Sequence, residues 1–269
     1  MENVAAEIQA TKAVKFKEKL AAYSELTKPR IAFLLVLTAA AGFYLGSDKG
    51  FNWLLFFNSM LGITLLSFGV ATLNQYIERN IDKLMERTAN RPLPSGRLSP
   101  TEALVFGAAL CVIAEVHLAF FANGLTAILG LAVIVGYVFL YTPLKTRTSA
   151  STAIGAFPGA IPPLIGFTAA AGNITLGAWV LFAILFFWQF PHFLAIAWMY
   201  REQYAKAGIL MLPVVEPEGK ITARQIVIFT VILLPISVAP FFLQIAGFIY
   251  LIGAVILGGW FLHASIKAA

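Results

Sequence analysis

The sequence predicts an all-α, polytopic bundle of transmembrane helices, and three observations carry the prediction. Hydrophobic residues make up 59% of the chain and charged residues 12%, with a mean hydropathy of +0.83; a soluble domain carries roughly 25% charge. The apolar residues gather in long runs that approach the roughly 20 residues a helix needs to cross a bilayer. The charges lie almost entirely between those runs.

Taken in order, the runs give eight spans, at 31–46, 53–77, 102–122, 125–141, 152–171, 176–199, 223–244 and 247–265. The first is short, so Thr27 to Arg30 extend it into the interface, where long basic side chains reach toward water. Ahead of it, residues 1–27 form an arm that mixes Glu and Lys and lacks a continuous apolar stretch, so no cleavable signal is expected. Ile8, Val14, Phe16, Leu20 and Tyr23 can line one side of an interfacial helix; a solvated polar tail is the alternative. The fifth run holds Gly155, Gly159, Pro158, Pro162 and Pro163 and is expected to be irregular, suited to close packing or to lining a pocket. The sixth contains Trp188-Gln-Phe-Pro191-His192, where a proline without an N–H is expected to interrupt the helix.

Orientation follows from the basic residues. Of the 19 Lys and Arg, Lys49 alone falls in a loop on the far side, so the other surface, with both termini, is expected to be cytoplasmic. The same skew accounts for the net charge of +6, and nucleic-acid binding is not expected. The single cysteine, Cys111, rules out an intrachain disulfide or a site built from several thiolates. Residues 28–269 read as one domain whose halves, about 28–150 and 151–269, each send their second span into a polar cytoplasmic loop with a Leu-Pro pair, Leu93-Pro94 and Leu212-Pro213.

The first of these loops carries the chemistry. Asn74, Glu78 and Asp82 recur at i, i+4 and i+8, stacking three oxygen donors along a helical stripe about 12 Å long. Hard oxygen donors suit Mg²⁺, which takes few carboxylates and completes its shell with water and phosphate. Local ion pairing, such as Glu78 with Lys83, is the plainer reading. Arg87 and Arg91 follow within two turns and are suited to bidentate phosphate contacts, so the segment combines ligands for a metal with ligands for a diphosphate. Arg79 and Arg97 read as surface charges that set topology.

Other polar groups return to the same surface. Tyr141-Thr-Pro-Leu-Lys145-Thr-Arg147 closes the fourth span, with Lys145 and Arg147 as further diphosphate ligands and Tyr141 as a hydrogen-bond donor; a positive-inside anchor is the alternative. Lys28 and Arg30 before the first span allow the same two readings. Arg201, Glu202 and Tyr204 form a second cluster, in which Glu202 is placed to hold a second Mg²⁺. His192 is expected to face the interior, as a substrate contact or a hydrogen-bonded structural histidine. Glu115 and His117 point about 200° apart at 3.6 residues per turn, so they cannot form one site, and each is expected to bond to a neighbouring helix.

These segments resemble the UbiA superfamily of intramembrane prenyltransferases and, within it, the protoheme IX farnesyltransferases, from Leu26-Thr-Lys-Pro-Arg30 to Met211-Leu-Pro-Val-Val215. The stretches that carry the finer resemblance are Glu78 to Leu93, Tyr141 to Gly166 with Ile-Gly-Ala-Phe-Pro-Gly-Ala-Ile-Pro-Pro, and Trp188 to Pro213. The resemblance implies about nine helices around a central cavity with cytoplasmic polar caps, set in a bacterial inner membrane. It implies Mg²⁺, farnesyl diphosphate and heme B as cofactor and substrates, and heme A synthase or oxidase assembly proteins as partners. The implied reaction joins a farnesyl cation to a heme vinyl group, and water completes heme O. Asn74, Glu78 and Asp82 match the first acidic motif and the region of Arg201 to Tyr204 the second. The chain departs from the pattern at Glu78 and Asn80, where Asp is common, and at Gln203, where Asp is usual, so the second metal position rests on Glu202. A last helix is expected to be missing or much reduced. A related enzyme acting on an aromatic quinone precursor, and a transporter for a phosphorylated lipid or a heme, remain open at this stage.

Overall fold

The computed structural model describes residues 16–48 and 50–268; the expectations placed on Ile8, Val14 and Lys49 lie outside them. The chain is a multi-pass membrane protein made of helices. Seven described helices are long and apolar enough to cross a membrane, or eight when α1 (Phe16–Leu26) and α2 (Pro29–Leu45) are taken as one span bent by 43°.

Local sequence sets where each helix starts. Asn52 accepts from Leu55 N to begin α3 (Trp53–Asp82), which runs past the end of its apolar run and carries the acidic stripe on the same helix. After the short α4 (Glu86–Ala89), Ser99 and Glu102 form a reciprocal capping box with Pro100 in the first turn of α5 (Pro100–Phe121), satisfying N–H groups that have no helical partner. Asn123 caps α6 (Gly124–Ile134), which passes through a π-helical turn, Val135–Tyr141, into α7 (Thr142–Leu144). The fifth span is broken as expected: α8 (Ser151–Ala160) stops at Ile161, and Pro162 opens α9 (Pro162–Ala171). Thr175 caps α10 (Leu176–Met199). Then come α11 (Arg201–Lys206), α12 (Leu212–Val215), α13 (Lys220–Phe242) and α14 (Phe248–Ala268).

One expectation is corrected here. Pro191 does not interrupt the sixth span, because α10 continues unbroken through it to Met199. A proline removes one i to i−4 bond, and flanking bonds with tertiary packing carry the helix across the gap.

The core lies where α2 meets α9 and α3 meets α5. The α8–α9 span is 72% buried over its apolar window, against 6% for α14. Close approach of α2 and α9 depends on the absence of side chains: a Cβ on Gly166 would stand 1.8 Å from the Ala39 carbonyl oxygen, and one on Gly42 would stand 2.1 Å from that of Pro163. Phe43, Ile63, Leu66, Leu118, Leu164 and Ile165 fill the centre. His117 bonds the Asn58 carbonyl of α3 at 3.0 Å as expected, whereas the Glu115 carboxyl packs against Gly130 of α6 and its buried Oε1 makes no hydrogen bond to that helix, so the two do point to different helices but, among the described residues, only the histidine bonds.

Two smaller apolar clusters seat the polar loops. Ala22 and Leu26 of α1 pack with Leu93, Leu98 and Ala103, and Met85 packs with Ala207, Ile209 and Met211. The arm from Phe16 is therefore helical and docked by one face, leaving Phe16 and Leu20 exposed.

Candidate active site

Asn74, Glu78 and Asp82 are buried on one stripe of α3, and each meets a cation from a different part of the chain. Lys28 Nζ donates to Asn74 Oδ1 at 3.1 Å, Lys145 Nζ to Glu78 Oε1 at 2.7 Å, and Arg91 Nη1 to both oxygens of Asp82 at 2.9 and 2.8 Å. Local ion pairing at the end of α3 is not the arrangement found, since Glu78 pairs with Lys145 and Lys83 is exposed.

Each cation is delivered by backbone geometry. Lys28 takes a left-handed conformation, φ 48°, uncommon for a residue with a side chain, between α1 and α2. Gln75 Nε2 anchors that junction by donating to the Leu26 carbonyl at 2.8 Å. Thr88 Oγ1 donates to the Asp82 carbonyl at 2.8 Å, folding α4 back so that Arg91 reaches Asp82. The Lys145 carbonyl accepts from Leu210 N at 2.8 Å, joining the turn after α7 to the loop after α11. Beneath Lys145 lies the Tyr141 ring, 4.5 Å from the ammonium, in space left by Gly155, whose Cβ would meet Tyr141 Cδ2 at 2.4 Å.

The fields are strongly coupled. Burial disfavours the Lys145 ammonium, but the Glu78 carboxylate, with Tyr141 and Tyr137 adding to it, holds the pKa above its ordinary value.

The second polar cluster approaches through different residues from those its charges suggest. Arg87 Nη2 donates to Tyr204 Oη at 3.2 Å, and the guanidinium lies 4.8 Å from the Tyr200 ring centroid. The Arg87 backbone N–H donates to Gln203 Oε1 at 3.4 Å. Glu202, one residue earlier, is exposed, and Arg201 turns away to stack on Trp198 at 4.5 Å. Arg30 and Arg147 are also exposed. His192 is half-buried and stacks on Trp188, with ring centroids 4.7 Å apart. The structure thus brings together Lys28, Asn74, Glu78, Asp82, Arg91, Tyr141 and Lys145, with Arg87 and Tyr204 alongside. It leaves Arg30, Arg147, Arg201, Glu202 and His192 outside that group.

Two residues of this neighbourhood, Thr142 and Tyr200, escaped the reading of the sequence; Gly155 was expected only to pack closely or line a pocket, and Gln203 only as a departure from the second motif. Tyr200 could have been found as the aromatic residue just before a basic cluster; a π-helical turn, which places Thr142, has no spacing signature. Among the described residues, no three His, Cys, Asp or Glu side chains gather as a metal centre. The donors on α3 are two carboxylates and one amide. That set fits Mg²⁺, which is commonly held by one or two carboxylates and completed by water and phosphate oxygens, and the Lys and Arg side chains paired with it are of the kinds that bind phosphate.

Comparison with known proteins agrees with the fold. The model of the UbiA prenyltransferase family matches residues 35–269. The chain is similar to the protoheme IX farnesyltransferase of Solibacter usitatus (strain Ellin6076), 50% identical over 256 residues that cover 92% of this chain and 88% of that protein. It is similar to the protein of the same name from Koribacter versatilis (strain Ellin345), 48% identical over 249 residues, 91% of this chain and 80% of the relative. Its fold matches a solved UbiA homologue from Archaeoglobus fulgidus bound to DMAPP and Mg²⁺, with a TM-score of 0.72 at 18% identity over 91% of this chain and 86% of that one. The chain belongs to the UbiA prenyltransferase family and groups within it with the protoheme IX farnesyltransferases.

Proposed function

We propose that this chain transfers the farnesyl group of farnesyl diphosphate to a vinyl group of protoheme IX (heme B), giving heme O and diphosphate. The observation that carries the reading is the 50% identity with a protoheme IX farnesyltransferase over 92% of the chain. The paired charges on α3 supply a physical account of how the diphosphate is handled.

Asn74, Glu78 and Asp82 would hold Mg²⁺, the ion that their donor set fits and that a UbiA homologue of the same fold binds together with DMAPP. When bound, the metal stabilises charge on the diphosphate oxygens. With a metal bound, Glu78 and Asp82 would be its carboxylate ligands, and Lys145 and Arg91, which pair with them in the structure, would be available to phosphate oxygens. Lys28 and Arg87 add positive charge at the two sides. The allylic C–O bond breaks with its electron pair leaving on the diphosphate, whose developing charge these cations stabilise. The vinyl carbon bonds to the farnesyl carbon, and the positive charge moves to the adjacent carbon of the heme substituent. Water adds there and loses a proton, giving a hydroxyethylfarnesyl group. Exclusion of bulk water by the bundle before that step protects the cation from hydrolysis.

The charged ends of the helices face the cytoplasm in this reading, in keeping with the distribution of Lys and Arg. Mass spectrometry of hemes extracted after incubating the purified protein with heme B, farnesyl diphosphate and Mg²⁺ tests the function. The expected result is a mass gain of one farnesyl and one hydroxyl group, the vinyl group having become hydroxyethylfarnesyl, that EDTA abolishes. Well-folded protein that leaves heme B unchanged and prenylates an aromatic acid instead would overturn the choice of acceptor.

A further inference from the structure

Thr142 is the first residue beyond the π-helical turn, and its backbone N–H reaches five residues back to the Tyr137 carbonyl. A π turn widens the helix by one residue and is often found where function requires an unusual side-chain direction. Here the Thr142 hydroxyl donates to the same Tyr137 carbonyl at 2.8 Å, and a hydroxyl has only one proton to donate. Toward Asn74 Nδ2, 3.2 Å away, Thr142 Oγ1 is therefore an acceptor.

That fixes the Asn74 amide. Its NH₂ group faces Thr142, so its oxygen faces the other way, where Lys28 Nζ, a donor with no acceptor capacity, lies 3.1 Å from Oδ1. Thr142 and Asn74 are each 2% exposed, so bulk water is not at hand to replace either bond.

We propose that Thr142 is a positioning residue: its hydroxyl, held by the widened turn, locks the Asn74 amide with Oδ1 toward the cation site and sets the affinity of that site for a divalent cation. The proposal rests on the reading of Asn74 as a cation ligand. A flipped amide would aim two N–H donors at the cation, so the lock decides whether α3 presents three oxygen donors or two. The same bonds tie the end of the fourth span to α3, so the register of the π turn and the direction of the amide are set together.

The test is titration of the full-length protein in nanodiscs with Mn²⁺, followed by electron paramagnetic resonance, which reads cation binding without turnover. Thr142→Val removes the hydroxyl at nearly constant shape and should weaken Mn²⁺ binding by about 10-fold or more, in the range found when a residue that orients a metal ligand is lost. Thr142→Ser keeps the hydroxyl and should bind within about twofold of the parent, since the donor and acceptor pattern is unchanged. Thr142→Ala gives the same readout as Thr142→Val without a branched side chain in the turn, in case the valine protein does not fold. Asn74→Ala should weaken binding at least as much, and adding Thr142→Val to it should cost nothing more, as expected of two residues acting as one unit. Parental affinity in both Thr142→Val and Thr142→Ala, with Asn74→Ala weakened, overturns the positioning role. A Thr142→Ser protein as weak as Thr142→Val overturns it too. Parental affinity in Asn74→Ala would instead remove the underlying reading of Asn74 as a ligand.

Discussion

Replacing Lys145 with methionine separates the two roles that charge has in this site. The Lys145 ammonium lies 2.7 Å from Glu78 Oε1, with side chains 15% and 9% exposed. Two unit charges at that distance attract by about 6 kcal/mol at an effective dielectric constant of about 20, and unpairing a buried charge costs about 3–5 kcal/mol after desolvation is counted. Without divalent cation, Lys145→Met should therefore unfold at least roughly 6 °C below the parent, at about 2–4 °C per kcal/mol for a chain of this size. Mg²⁺ or Mn²⁺ should restore most of that loss, because the cation takes the place of the ammonium beside Glu78. In the parent the cation must displace Lys145, so the variant should bind Mn²⁺ alone at least about 10-fold more tightly, which is only 1.4 kcal/mol of the difference. Farnesyl diphosphate affinity should move the opposite way. Thermal unfolding with and without Mg²⁺, Mn²⁺ titration and diphosphate binding read the three effects. A variant that is equally stable and binds Mn²⁺ no better than the parent would refute the idea that lysine and metal compete for one carboxylate.

Three further outcomes are expected. Gly155→Ala places a Cβ 2.4 Å from Tyr141 Cδ2, so the ring that supports Lys145 must move by about 1 Å; misplacement on that scale costs about 10²-fold in rate, and an unchanged rate of heme O formation would show that the ring does not position Lys145. Asp82→Ala should abolish transfer while the protein still inserts in the membrane, and full activity would rule out Asp82 as a metal ligand. Glu202→Gln should leave the rate within about twofold, as for most exposed positions, whereas a large loss measured in the same heme assay would mean that Glu202 enters the site when substrate binds.

The order of the spans was legible because hydropathy reports the membrane directly. Boundaries were less so: the apolar run of α3 ends near Ile77, yet the helix continues to Asp82, where the polar residues are paired by tertiary contacts rather than by lipid. The stripe of Asn74, Glu78 and Asp82 could be read from spacing alone, since it lies on one helix. Which cation meets which carboxylate could not, because Lys28, Arg91 and Lys145 arrive from separate loops. The local candidate, Lys83, stands five residues beyond Glu78 and so lies about 140° round the helix. At the second cluster, formal charge pointed to Glu202, but adjacent residues on a helix differ by about 100° in direction, and it is the neutral Gln203 that meets Arg87. The π turn was hidden for a different reason: the Thr142 hydroxyl that it places bonds its own helix and a neighbouring one, an arrangement without a repeat in the sequence.

The depth at which α8 and α9 lie has a consequence for how the protein is made. Of the seven candidate spans this one is the least apolar and by far the most enclosed by protein, so it gains least from entering lipid by itself. Its glycine-lined seat against α2 is built from a helix that leaves the ribosome much earlier. Insertion of the fifth span is thus expected to wait on an already assembled amino-terminal group of helices, and a lesion at Gly42 or Gly166 would act during biogenesis, as a span left outside the bundle and cleared by membrane proteases, before any question of catalysis arises.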